Sequence, residues 1–429
     1  MSLRKLHRSL SEKDGFSPAW LTAIFFAVLL LVFSRRPGDL LHAQFYAEDA
    51  RWFAQAYNLG WLHSLQIPDA SYLQVLPRVF AGIALHLPLY AVPLALNLAG
   101  AALQVSPVVA LLSQRCSNWG CLPVRIAMAA VYIASPNAVE IHVNITNAQW
   151  HYGLLQVLLA FSRPPSTKVG RFTDVFIFLL GSISGPFDIV LLPILLLSWL
   201  SSRERWTLIL AACLTVGSIL QLYTLSTKLD HPVPEFGVPE SARVMSNRVP
   251  LGASPTLFTR ILGSHVYLDS VIGDSKLDRT TILLPACALL VGTFVTLCGI
   301  LWGPRSFRFF SLYGLLLFAA ALKTPVVFAS VSRWYALSLD AGMRYYFLPT
   351  TVFLWGAIYA VQYSPRRIVR LVCLCPLVLF VLGLRKWEYA AYPVSHYAES
   401  VQRFEHARTG EAVIIPTYPQ GWSVTLLKH

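Results

Sequence analysis

Five apolar runs decide what this chain can become. Trp20–Phe33, Trp206–Leu222, Thr280–Leu301, Phe309–Phe328 and Phe347–Val361 approach or exceed the roughly 17 to 25 residues a helix needs to cross a bilayer. Charged residues make up 13% of the 429, against about 25% in soluble domains. The expected fold class is therefore an all-α polytopic membrane protein. The first run ends in Ser34-Arg35-Arg36-Pro37 with no small-residue cleavage site, so it is expected to remain as an anchor.

The formal charge of +13 invites a nucleic-acid reading, but the basic residues sit in short loops between apolar runs, as the positive-inside rule requires. No nucleic acid is expected as a partner. Clusters at Arg4/Lys5/Arg8, Arg115 to Arg125, Arg163/Lys168/Arg171, Arg203/Arg205, Arg305/Arg308 and Arg366/Arg367/Arg370 share the cytoplasmic face. Loops 35–87, 137–149, 185–188, 227–279, 331–344 and the tail from 385 then face outward. This requires an interfacial helix at about 71–87, with Arg78 and His86 near headgroups, followed by one span at about 88–113. The count becomes about eleven transmembrane helices, N-terminus in and C-terminus out. Of 21 acidic residues 17 fall outside, the exceptions being Glu12, Asp14, Asp174 and Glu204.

Residues 1–384 are expected to form the transmembrane domain and 385–429 an extracytoplasmic tail. Spans at about 122–136, 150–162 and 172–184 are short, and Gly185-Pro186 breaks an apolar stretch. Such helices are tolerated at membrane depth when they are buried in protein or line a wet cavity, here one opening outward. Pro255 to Ile272 has the spacing of a helix lying on the membrane surface. In the tail, Ser395–Arg408 predicts a polar helix. Ala412–Ile415 and Trp422–Leu426, flanking Pro416–Gly421, predict two short strands, together a small α/β cap. The seven cysteines indicate neither a disulfide framework nor a thiolate metal site.

Glu48-Asp49 opens the first outward loop. Two adjacent carboxylates followed by aromatic residues can hold one as a general base while the other binds a metal or a sugar hydroxyl. The plainer alternative is acids in a first helical turn, which stabilise the helix dipole by about 0.3–1 kcal/mol. Arg344-Tyr345-Tyr346 stands at the outer end of a span, where an Arg can bind a phosphate bidentately or merely snorkel in an aromatic belt. Glu140 to His151 offers His142, Asn144, Asn147, Trp150 and His151, a sugar-binding inventory or an ordinary polar turn. Asp188, at the helix break, either joins that set or caps the next helix. Arg78 either joins the phosphate site or snorkels.

A basic N-terminus, one span, and an outward loop that opens with an acidic pair and continues into an interfacial helix resemble the GT-C superfamily of integral membrane glycosyltransferases. Relatives such as the protein O-mannosyltransferases carry an acidic pair in that loop. The resemblance extends over the architecture of the whole chain, although its motif, Glu48-Asp49, is two residues long. It implies inverting transfer of one sugar from a polyprenyl-phosphate donor to a cell-envelope glycan or lipid acceptor, at a bacterial inner-membrane site facing the periplasm. Asp49 is then the catalytic base, with Glu48 positioning it or holding a divalent metal such as Mg or Mn. Arg344, Tyr345 and Arg78 bind donor phosphate; His142, Asn144, Asn147, Trp150, His151 and Asp188 bind sugar or acceptor; and the helix near 255–272 acts as a lid. Competing readings are an O-antigen polymerase or ligase using Arg243, Arg248, Arg260 and His265, and a lipid-linked sugar transporter or flippase. Transporters usually place ionisable groups mid-span and show internal repeats, neither of which is evident here.

Overall fold

The computed structural model describes residues 14–69, 72–135, 138–227, 279–323, 344–385 and 387–429. Helix α1 (Pro18–Phe33) leads to a first loop that is itself helical, with α2 (Asp49–Leu59) and α3 (Val75–Ala84). There follow α4 (Val92–Leu112), α5 (Leu122–Ile133), α6 (Ala148–Ala160), α7 (Lys168–Ser182), α8 (Phe187–Ser202) and α9 (Arg205–Ser226). Then come α10 (Arg279–Trp302), α11 (Arg305–Lys323), α12 (Phe347–Tyr363) and α13 (Arg367–Gly383). Proline in the first turn starts α1, α4 and α5, where its missing N–H costs nothing. The Thr167 hydroxyl caps α7 by accepting from Gly170 N at 3.0 Å.

Among the described residues, helices thus occupy the stretches expected as spans. Leu89–Leu112 and Arg205–Ser226 are long and apolar enough to cross a membrane; α1, α5 and α8 are apolar but shorter. A helix is present at Val75–Ala84, within the stretch expected to be interfacial. Residues 255–272, the expected lid, and most of loop 331–344 lie outside the described residues, as do Arg243, Arg248, Arg260 and His265.

Two helices form the centre. Every residue of α6 is buried, as is every residue of α12 from Phe347 to Ala360; helices apolar all round must be enclosed by others. Helix α12 packs against α5, α10, α11 and α13, and α6 against α4, α7 and α8. Trp355 locks this centre. Its Nε1 donates to the Met128 carbonyl at 2.9 Å, and its ring packs against Trp119 and Phe310 at 6.2 and 5.2 Å. Peripheral helices leave large apolar side chains uncovered, among them Val216, Ile219 and Tyr223 of α9 and Ile368 and Leu371 of α13.

The connecting loops gather at two opposite ends of the bundle. At one end Arg125 donates to the Asp14 carbonyl at 2.6 Å, Arg115 pairs with Asp174, and Ser306 donates to the Asn118 carbonyl. The loops carrying Arg115 to Arg125, Arg163 and Arg305 therefore meet, while Arg4, Lys5 and Arg8 lie outside the described residues. At the other end Arg35 donates to the carbonyls of Ile133 and Ser135 at 2.8 and 2.9 Å and, at 3.4 Å, to that of Trp387. Its guanidinium thus neutralises the C-terminus of α5, and Tyr389 covers it at 4.1 Å.

The C-terminal part forms α14 (Tyr397–His406) and an antiparallel pair, β1 (Ala412–Thr417) and β2 (Trp422–Leu427), registered from Ala412 opposite Leu427 to Thr417 opposite Trp422. Strand β1 continues into the residues expected as a turn. The hairpin is bolted to the first loop: Asn58 donates to the Thr425 carbonyl and accepts from Leu427 N, at 2.8 and 3.0 Å. Tyr418 N donates to the Phe45 carbonyl, and Ala47 N to that of Tyr418. Phe45, Phe53, Tyr397, Phe404, Ile415 and Leu426 make a second core beneath it.

Trp355→Ala is expected to cost about 3–5 kcal/mol, read as a lowered unfolding temperature of the purified protein in detergent. A change under about 1 kcal/mol would mean that the centre of the bundle is not packed as described.

Candidate functional site

The sequence candidates among the described residues lie at the end of the bundle that holds Arg35 and the C-terminal hairpin. The acidic pair is introduced by Ala47, whose φ of +44° turns the chain into α2 and brings it under Tyr418. Glu48 occupies the cap position and Asp49 the first helical residue, yet Glu48 makes no side-chain cap bond. Asp49 reaches across to loop 138–147 instead. Its Oδ1 accepts from Thr146 N at 2.8 Å and from Thr146 Oγ1 at 2.5 Å, while Oδ2 is buried without a partner. Burial raises this carboxyl to about 7, outweighing the two Thr146 bonds that favour its charge.

The pair therefore splits. Asp49 is 1% exposed and turned inward, whereas Glu48 retains 28% exposure, 3.6 Å from Arg51. Arg51 in turn pairs with Asp69 at 2.9 Å. The expectation that Asp49 is the carboxylate that meets substrate is corrected on this geometry: Glu48 faces outward and Asp49 anchors two loops to each other.

Glu48 lies within electrostatic reach of a second pair, Arg344 and Glu140. Glu140, buried in loop 138–147, accepts from the Arg344 backbone N at 2.8 Å and from its guanidinium. Burial works against the Arg344 charge, but Glu140 more than offsets it and keeps the guanidinium's pKa above its ordinary value. Tyr345 lies under the guanidinium at 5.0 Å and packs edge-on against Trp150 at 5.8 Å. Arg344 and Tyr345 are thus together, as expected, but Arg344 already has a carboxylate. Nothing in the sequence linked Glu140 to a position 204 residues away.

Arg78 is the less neutralised cation. It is fully buried on α3, stacked on the Trp52 ring at 4.5 Å, with Nη1 donating to Gln55 Oε1 at 2.5 Å. Its Nε and Nη2 have no partner, and Asp69, the acid whose field reaches it, is engaged by Arg51. Burial lowers its pKa to about 10, so it remains charged at neutral pH. The expectation that it snorkels among headgroups fails: the side chain points inward between α2 and α3.

The polar run 140–151 is largely bonded within the protein: His151, Asn144 and Asn147, expected to bind sugar, are engaged by neighbouring groups. His151 is used up by the Tyr132 hydroxyl at 2.8 Å and the Ile141 carbonyl at 2.9 Å. His142 is fully buried against Gln104 and the edge of Tyr389. Asn144 donates to the carbonyls of Glu140 and His142 and accepts from Asn147 N. Asn147 donates to the Glu140 carbonyl. These bonds hold the loop that presents Glu140 and Thr146. Trp150 and Asp188 are also buried, and each keeps an unpartnered polar atom, Nε1 and Oδ1, as His142 keeps Nε2.

A divalent metal on Glu48 and Asp49 does not fit this arrangement. One Asp49 oxygen is committed to Thr146, Glu48 faces a guanidinium, and among the described residues no group of three His, Cys, Asp or Glu gathers to complete a shell. No family model, curated protein or solved structure matches the chain.

Because Asp49 holds its proton to about pH 7 when folded but to about 4 when unfolded, its contribution to stability is complete below pH 4 and is lost as pH rises to 7. Relative to the wild type, Asp49→Asn should therefore gain unfolding temperature steadily between pH 4 and 8. A constant difference across that range would show that the buried carboxyl is not perturbed.

Proposed function

We propose that the chain is a GT-C-like integral membrane glycosyltransferase that moves one sugar from a polyprenyl-phosphate donor to a glycan or lipid acceptor. In this reading α1 and α4 to α13 are eleven spans, and the end carrying Glu48, Arg344 and the hairpin faces the periplasm. The uncovered apolar side chains on α9 and α13 support a lipid-facing surface, and the gathering of basic loops at the opposite end supports the orientation.

The observation that carries the reading is the division of labour within the acidic pair. Asp49, fixed through Thr146, holds Glu48 at the outer mouth within electrostatic reach of Arg344. Glu48 accepts the proton of the acceptor hydroxyl as the new glycosidic bond forms. The leaving prenyl phosphate is stabilised by Arg344 and by Arg78, whose unpartnered N–H groups suit a phosphate oxygen. Neither step is routed through a metal.

With radiolabelled polyprenyl-phosphate sugar and purified protein, Glu48→Gln should lower turnover by about 10²–10⁴-fold. Asp49→Asn, which keeps an oxygen for Thr146, should retain far more. The reverse order would return the base to Asp49, and equal turnover in all three proteins would end the mechanism. Orientation is checked separately: a cysteine introduced at His406 should react with an impermeant maleimide on intact cells.

A further inference from the structure

At the basic end of the bundle, remote from the candidate site, the flank is not closed. Helices α10 and α13 both lie against α12 but touch each other only briefly. Gly299 presses α10 onto α12: a Cβ there would stand 2.3 Å from Gly356 Cα, so no side chain fits at this crossing. Cys298 and Cys373 come within hydrogen-bonding reach of each other. Between that contact and the turn joining α12 to α13 lies a cleft of about 420 Å³, within the size range of ligand pockets.

The walls of this cleft are apolar and its mouth is cationic. Phe294, Leu297 and Leu301 line it and are all exposed; their intervals of three and four residues put them on one face of α10. From Phe294 to Trp302, the last residue of α10, the cleft runs about 12 Å along the helix. Trp302 and Arg366 stand at its outer end, and the Arg366 side chain is exposed. Arg308 donates to the carbonyls of Ile300 and Leu301 at 3.0 and 3.2 Å, which sets a second cation against the same wall. Arg367 and Arg370 follow on α13. Among the described residues none of these four arginines pairs with an acid. An occupant must therefore be apolar along its length and negative at one end. A free phosphate leaves the cleft unfilled, and a zwitterionic lipid leaves the charge unanswered. A second copy of the chain docking through the same end brings arginine against arginine.

We propose that the cleft between α10 and α13 holds one phospholipid with a net-negative headgroup. An acyl chain lies along Phe294, Leu297 and Leu301, and the headgroup phosphate is taken by Arg366 with Arg308 beside it. Basic pockets between membrane helices on the cytoplasmic side recognise anionic lipids in this way. The proposal rests on the membrane orientation given above and on nothing in the transfer chemistry. It gives the basic end a task besides setting topology: the lipid bridges two helices that the protein itself leaves nearly unjoined.

The test titrates the full-length protein in detergent with phosphatidylglycerol, phosphatidylcholine and inorganic phosphate, counting bound lipid by native mass spectrometry and following the unfolding temperature. One phosphatidylglycerol should bind saturably, about fivefold or more tightly than phosphatidylcholine, and raise the unfolding temperature. Arg366→Ala should bring phosphatidylglycerol down to the affinity of phosphatidylcholine. Leu297→Trp, which fills the cleft and leaves every charge, should weaken both lipids about tenfold. Arg205→Ala, an exposed arginine of the same end outside the cleft, should change neither. Equal affinity for the two lipids overturns the site, as does a loss in Arg205→Ala as large as in Arg366→Ala, or displacement of the lipid by inorganic phosphate alone. If neither lipid binds while the cysteine at position 406 still reacts from outside, the orientation stands and the lipid site falls. Turnover of Glu48→Gln decides the transfer reading separately from all of these.

Discussion

One guanidinium sets the geometry of the functional end. Arg35, the second residue beyond α1, takes up the last carbonyls of α5 and a carbonyl of the C-terminal segment, and is covered by Tyr389 and Trp387. A cation at a helix C-terminus is favourable in itself, but this one also fixes where three distant parts of the chain meet. Arg36 continues the arrangement: it donates to the Ala390 carbonyl and stacks on Tyr392 at 3.9 Å, and Tyr392 stacks on Tyr418 at 4.1 Å. Loop 138–147 begins where α5 ends, so holding that end also holds the loop that supplies Thr146 and Glu140.

The site that results contains charge in three states. Arg344 and Glu140 neutralise each other, as do Arg51 and Asp69. Burial pushes the Asp49 carboxyl up to about 7, so it carries only part of its charge at neutral pH, while Arg78 stays charged without a carboxylate of its own. A buried unpaired cation is costly, which makes Arg78 the group with most to gain from an incoming anion.

Much of the scaffold was legible in the sequence because apolar length and basic loops are local signals. Among the described residues, helices stand at the stretches expected as spans, a helix within the first loop falls where an interfacial one was expected, and the tail has its helix and two strands within a few residues of the expected bounds. Apolar length alone did not distinguish enclosed helices from peripheral ones, so the central role of α6 and α12 was hidden. The site was legible as a set of residues but not as a set of bonds. Glu48 and Asp49 are neighbours in sequence and face opposite ways. His142 and His151 have the composition of a binding loop, yet both rings are buried, His151 with both nitrogens engaged and His142 against Gln104 and Tyr389. Partners such as Glu140 and Arg344, or Asp49 and Thr146, are separated by 204 and 97 residues, and no spacing rule links them.

The hairpin's hold on the first loop has a consequence for how the molecule is made. Tyr418 pairs with the backbone on either side of Tyr46, immediately before Glu48. The segment that presents the acidic pair is translated long before the residues it pairs with. For most of synthesis the acidic segment has no hairpin to rest on. A product terminated just before the hairpin would carry every residue of the site and still lack the surface that shapes the first loop.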